Sequence, residues 1–170
     1  MVVAALLALS GCKVLVKEEP PPCPRVSILA DASHLTRFRP GAGQAEGDVE
    51  FRARIVDYNG SCYYDRDEKT MSVTLQLAIE ATRGPALTDG KRDLNYFVAV
   101  PFFFPESEAK KILPLTIDIP KGANGVKATD RDVRISFPVR NIKELERYEL
   151  FVGLQLDEAE LRYNRQHSAY

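Results

Sequence analysis

From Asp48 onward the chain alternates: Val49, Phe51, Ala53 and Ile55 are apolar, and Glu50, Arg52 and Arg54 stand between them. A period of two puts successive side chains on opposite faces of a strand, so Asp48–Asp57 predicts a strand with one buried and one solvated face. Asn59-Gly60 follows, a pair that tolerates positive φ, and predicts a hairpin turn over Tyr58–Ser61. Met71–Thr82 alternates again, with Met71, Val73, Leu75, Leu77, Ile79 and Ala81 on one face. Leu94–Phe104 is apolar on both faces, with Tyr96, Val98, Val100, Phe102 and Phe104 against Phe97, Ala99 and Phe103. Pro101 cannot donate to a ladder, which predicts an edge strand or a bulge there. A two-faced apolar edge invites aggregation, so the C-terminal segment or another chain is expected to cover it.

Three more segments alternate: Leu113–Ile119, Val133–Val139 and Tyr148–Leu154, with Lys121–Gly125 as the loop before the second of them. With Arg25–Leu29 the pattern predicts an all-β fold, an immunoglobulin-like antiparallel β-sandwich of about seven strands. Ser33–Gly47 reads as a long loop. Asp157–Gln166 reads as a short helix: Asp157 can cap it, Glu160 stands three residues on, and Leu156, Leu161 and Tyr163 can pack on the sheet. About three turns do not hold alone in water, so this helix must dock. One domain, 23–166, is expected, with 167–170 frayed.

The chain begins with an uncharged apolar stretch, Val2–Leu9, of the length of a signal-peptide core rather than a membrane span. It ends in Leu9-Ser10-Gly11-Cys12, which resembles the lipobox of bacterial lipoproteins. No Lys or Arg precedes Cys12, where such signals carry a basic region; a start further upstream would supply it. The resemblance implies removal of 1–11, diacylglycerol on the Cys12 thiol, a fatty acid such as palmitate on the new amino terminus, and attachment to the membrane through that lipid. Stable attachment needs only two such lipid signals. Residues 12–22 then form a spacer whose Pro20-Pro21-Pro22 favours stiff polyproline II. Lys13 rather than Asp after the cysteine favours, by the sorting rule of that family, the outer membrane with the domain facing the periplasm. The layout resembles small envelope lipoproteins of alphaproteobacteria.

With Cys12 assigned to lipid, Cys23 and Cys62 remain, an even pair in an oxidising compartment. A Cys23–Cys62 disulfide would close a loop of about 40 residues, worth on the order of 3–4 kcal/mol. Two free buried cysteines are the alternative. Asn141–Gln155 resembles the late strand of fibronectin type III and immunoglobulin-like domains, which implies a corner tyrosine at Tyr148.

Charge and chemistry narrow the function. With 23 basic and 24 acidic residues the net charge is -1, which removes nucleic acid as a default partner. No GxSxG, HExxH, P-loop or GxGxxG is present, so no catalytic residue, cofactor or metal ligand is assigned and an enzyme is the disfavoured reading. Asp65-Arg66-Asp67-Glu68 reads as a solvated charged turn, with a calcium loop as the alternative. The candidates for partner binding are His34, Arg37, Phe38 and Arg39, which together could grip an anion, and Phe97 and Phe103 on the apolar edge. The expectation is a lipid-anchored structural or binding module without catalysis. The alternative is a subunit of a larger envelope assembly, using the Phe-rich strand or the terminal helix as its interface.

Overall fold

The computed structural model describes residues 21–88, 90–130 and 132–167. The signal segment, Cys12 and the spacer as far as Pro20 lie outside the described residues, as do Ser168–Tyr170. The strands are β1 (Val26–Ile28), β2 (His34–Phe38), β3 (Val49–Asp65), β4 (Thr70–Arg83), β5 (Lys91–Ala99), β6 (Lys110–Asp118), β7 (Gly125–Thr129), β8 (Val133–Pro138) and β9 (Leu150–Leu154), followed by α1 (Glu158–His167). One sheet runs β1-β9-β5-β6 and the other β2-β3-β4-β7, with β8 also on β4. Neighbours are antiparallel except β1 and β9, which pair in parallel. The all-β sandwich with a short terminal helix is therefore present, with nine strands among the described residues. The two beyond the expected seven are β2 and β7, each only five residues long.

The core follows from the period-two pattern. Phe51, Ala53 and Ile55 of β3 and Met71, Val73, Leu75, Leu77, Ile79 and Ala81 of β4 are all buried, against Leu94, Tyr96 and Val98 of β5 and Leu150, Val152 and Leu154 of β9. Burying each of the larger side chains contributes about 1.5–3 kcal/mol. β4 has β3 along one flank and β7 and β8 in tandem along the other, at Ala78–Thr82 and Thr70–Leu75. The Tyr96 ring crosses the interior to this break, where its hydroxyl donates to Asp130. Burial and the negative oxygen of Asp130 both raise the Tyr96 hydroxyl well above its ordinary pKa, so it remains a neutral donor.

Four expectations are corrected. Asn59-Gly60 is no turn: both residues lie inside β3, opposite Gln76 and Leu75. A Cβ on Gly60 would stand 2.9 Å from Leu75 Cδ2, so the glycine serves close approach of the two strands. The turn comes later, where Asp65 Oδ1 accepts from the amides of Asp67 and Glu68 (both 3.0 Å) and Lys69 takes φ 52°. Ser33–Gly47 is no long loop, because His34–Phe38 pairs with β3 as β2. The Phe-rich strand is no edge: β5 has β9 on one side and β6 on the other, and Pro101 starts a 3-10 turn beyond its end. His167 is not frayed but closes α1, with its ring stacked on Tyr163 at 4.0 Å.

Two expected features stand. Cys23 and Cys62 are joined, with Cα atoms 5.6 Å apart, so the end of the spacer is fastened near the C-terminal end of the long strand β3. The helix is capped by a reciprocal box: Asp157 Oδ1 accepts from the Glu160 amide (2.7 Å), and Glu160 Oε2 accepts from the Asp157 amide (2.9 Å). It docks on β2 and on the 3-10 turn Ala30–Ala32. Buried Asn164 fixes that docking, its amide donating to the carbonyls of Asp31 (2.9 Å) and His34 (2.7 Å).

Candidate functional site

Of the residues expected to grip an anion, Arg37, Phe38 and Arg39 have partners within the fold. Arg37 Nε and Nη2 both donate to Glu160 Oε1 (3.1 and 3.0 Å), Nη1 donates to the Asp93 carbonyl, and the guanidinium lies over the Phe51 ring. Phe38 packs edge-on against Tyr163 of α1 at 5.0 Å. Arg39 holds Asp48 at 3.1 Å. His34 Nδ1 lies 3.2 Å from Ser33 Oγ, but that hydroxyl bonds the Ala30 carbonyl at 2.8 Å. The concavity beside His34 also contains Glu80, which both Nε and Nη2 of Arg54 hold. Among the described residues, neither a poised nucleophile nor an unengaged carboxylate is seen to meet this histidine.

The two phenylalanines named with them are also packed. Phe97 is 8% exposed: its ring lies on Gly153 and Ala32, where a Cβ on Gly153 would meet both at 2.8 Å. The Lys110 ammonium covers its outer face, 4.4 Å from the ring centroid. Phe103 packs on Phe137 and Tyr148, whose rings stack on each other. What remains open in this segment is Phe104, 81% exposed, and Phe102, 41% exposed beneath Arg147. Both follow from the 3-10 turn Pro101–Phe103, which lifts the chain off the sheet before β6 begins.

Two concavities meet at Lys110. The first, of about 400 Å³, is floored by Phe97, Leu154, Leu156 and Leu161 and flanked by Lys110 and Arg165. Gln155 Oε1 on its wall is buried with no hydrogen-bond partner among the described residues. Arg165 is committed to Asp31 at 2.8 Å. The second, of about 310 Å³, lies between β6 and β8, each an outer strand of its sheet. Its lining is Val98, Ser107, Lys110, Lys111, Arg134, Ile135 and Ser136. Val98 and Ile135 are buried and make an apolar floor, whereas the cations stand exposed around it. Among the described residues no carboxylate lines this cleft. Among the described residues no ion pair is made by Lys110, Lys111 or Arg134.

No sequence pattern singled out these three cations. Lys110-Lys111 and Arg134 are ordinary charged residues at strand positions, and only the pairing of β8 with β4 and of β6 with β5 brings them to facing edges. Among the described residues no group of three His, Cys, Asp or Glu side chains is gathered as a metal site would need, and no helix is long and apolar enough to cross a membrane. Fold and site together define an all-β sandwich with an open, cation-lined cleft at one edge. The chain matches no protein-family model, no curated protein and no solved structure.

Proposed function

We propose that this chain is a lipid-anchored lipoprotein of the cell envelope, presenting a β-sandwich binding module to the periplasm without catalysis, with the outer membrane the favoured site. The Cys23–Cys62 disulfide is the observation that carries the reading. Such a bond persists in oxidising compartments and is rare in the cytosol. Its place matters as much as its presence. It secures the first residue after the Pro-rich spacer to β3, whose hydrogen-bonded ladder with β4 runs from Phe51 to Asp65. Strain arriving along a tether from Cys12 therefore reaches a central strand, not only the three residues of β1.

The test is metabolic labelling with a clickable palmitate analogue in a bacterial host, for the wild type and Cys12→Ser. The expected result is a labelled, membrane-bound wild type and an unlabelled Cys12→Ser protein that leaves the membrane fraction. Equal fractionation of both, with no label on either, would remove the anchor from the account. A second reading, a subunit of an envelope assembly, is favoured by the exposure of Phe102 and Phe104. Cross-linking in native membranes separates the two: a recurrent protein partner joined near residues 102–104 supports the assembly, and recovery of this chain alone counts against it.

A further inference from the structure

We propose that the cleft between β6 and β8 binds a phosphoryl group, through Lys110, Lys111 and Arg134. This deepens the reading of the domain as a binding module but does not depend on lipid at Cys12. Elsewhere Arg25, Arg37, Arg39, Arg52, Arg54 and Arg165 each hold a carboxylate within 3.1 Å. In a chain with 24 acidic residues against 23 basic ones, a concavity lined by Lys110, Lys111 and Arg134, with no carboxylate among its described lining residues, is a local excess, although the Lys110 ammonium also rests over Phe97. A cleft lined by one sign of charge over low-dielectric walls focuses its field. Val98 and Ile135 supply such walls.

The donor set suits phosphate better than carboxylate. A phosphate monoester carries about −1.5 to −2 charges and three strong acceptor oxygens, matching an arginine fork, two ammonium groups and the nearby hydroxyls of Ser107 and Ser136. Ser136 lines the cleft, and its hydroxyl shares a hydrogen bond with Ser72 of β4 at 2.9 Å. The volume, about 310 Å³, takes a headgroup-sized ligand.

The cleft also lies at the end where the spacer enters. Lys110 pairs with Ala99, Ala99 with Phe151, and Val26 lies one place along β9 against Leu150, so the starts of β6 and β1 and the end of β5 share one end of the sheet. Cys12 to Cys23 spans at most about 40 Å fully extended, so a membrane-lipid phosphate is within reach, as is a soluble phosphorylated sugar.

The test uses the full chain purified in detergent and isotopically labelled for amide NMR. Inorganic phosphate is titrated first, then micelles doped with phosphatidylglycerol against micelles without it. Saturable shifts at Lys110, Lys111, Arg134 and Ser136 are expected, weakened at least about tenfold in the triple variant Lys110→Gln, Lys111→Gln, Arg134→Gln. Arg54→Gln, which removes a paired cation elsewhere, should bind as the wild type does. Response to both probes supports the site with a lipid source, and response to inorganic phosphate alone supports it with a soluble source. No saturable response, or one that the triple variant keeps, overturns the proposal. Should the triple variant fail to fold, Arg134→Lys, which preserves charge without the fork, takes its place: weakened binding supports the site and unchanged binding overturns it. Intact mass on the same sample reads lipid at Cys12 separately.

Discussion

On the flank beneath α1, Arg37 and Arg165 reach across to Glu160 and Asp31, so each cation ties the helix to the sandwich. On the side between β6 and β8, Lys110, Lys111 and Arg134 line a cleft and tie nothing to anything through a carboxylate among the described residues. For Arg37 the physical difference is desolvation, whereas Arg165 is 61% exposed. Arg37 and Glu160 are largely covered, with side-chain exposures of 31% and 13%, and a charge so placed is costly unless paired. The exposed cations of the cleft carry little such cost, so the fold leaves them open. One sandwich edge has been closed by a helix, and the other has been left concave and positive. Charges of the first kind belong to stability, and those of the second kind are the ones we propose for recognition.

The contrast breaks most easily at Asn164. Asn164→Ala removes the donor to two carbonyls at the buried helix interface, and a loss of about 2–3 kcal/mol is expected in urea unfolding. Asn164→Asp keeps the shape, sets an acceptor against two acceptors, and should destabilise more as pH rises and the carboxyl ionises. A loss below half a kilocalorie for both would mean that the helix is not held as described.

Arg37→Ala comes next, with about 1–2 kcal/mol expected, because it strips a covered carboxylate that also caps α1. Arg37→Lys should recover little, since an ammonium lacks the planar fork whose separate nitrogens meet Glu160 and the Asp93 carbonyl.

Acid offers a smaller and graded test. The Ser27 hydroxyl and then the Arg25 guanidinium hold the Glu149 carboxyl below its ordinary value, and Arg52 does the same to Glu46. The folded state thus binds these protons less readily than the unfolded chain. Their contribution is full above the unfolded-state values and is lost as pH falls through the lowered folded-state values. Glu149→Gln should flatten that acid-side slope in pH-dependent thermal unfolding; an unchanged slope would remove Glu149 from it. The smallest effect on stability is expected for Arg134→Gln, about 0.5 kcal/mol or less in urea, as for an exposed surface cation.

The same contrast explains what could be read in the sequence. Alternation over Val49–Ile55 and Met71–Ala81 reports burial directly, and both segments face the core as expected. The Asp157/Glu160 box is local, and so it was legible. The Cys23–Cys62 pair followed from parity once Cys12 was set aside. What failed depended on partners distant in the chain. His34–Phe38 has only five residues, and its strand character comes from β3 rather than from its own pattern. Asn59-Gly60 has a turn's chemistry, but continuing the ladder to Asp65 outweighs it. Arg37, Phe38 and Arg39 have the composition of a binding cluster, and their partners in the fold, α1 and Asp48, could not be read from it. The cleft was invisible because its three cations come from strands 23 residues apart in sequence, Lys111 to Arg134, brought to facing edges only by topology.

The distinction between structural and recognising cations is tested most directly by the thermal unfolding of Arg37→Ala and Arg134→Gln side by side, each with and without inorganic phosphate. The expected result is that Arg37→Ala unfolds at lower temperature yet is still stabilised by phosphate, whereas Arg134→Gln unfolds like the wild type and loses most of the phosphate-induced rise. The reverse pattern, or a phosphate response that neither substitution alters, would contradict it.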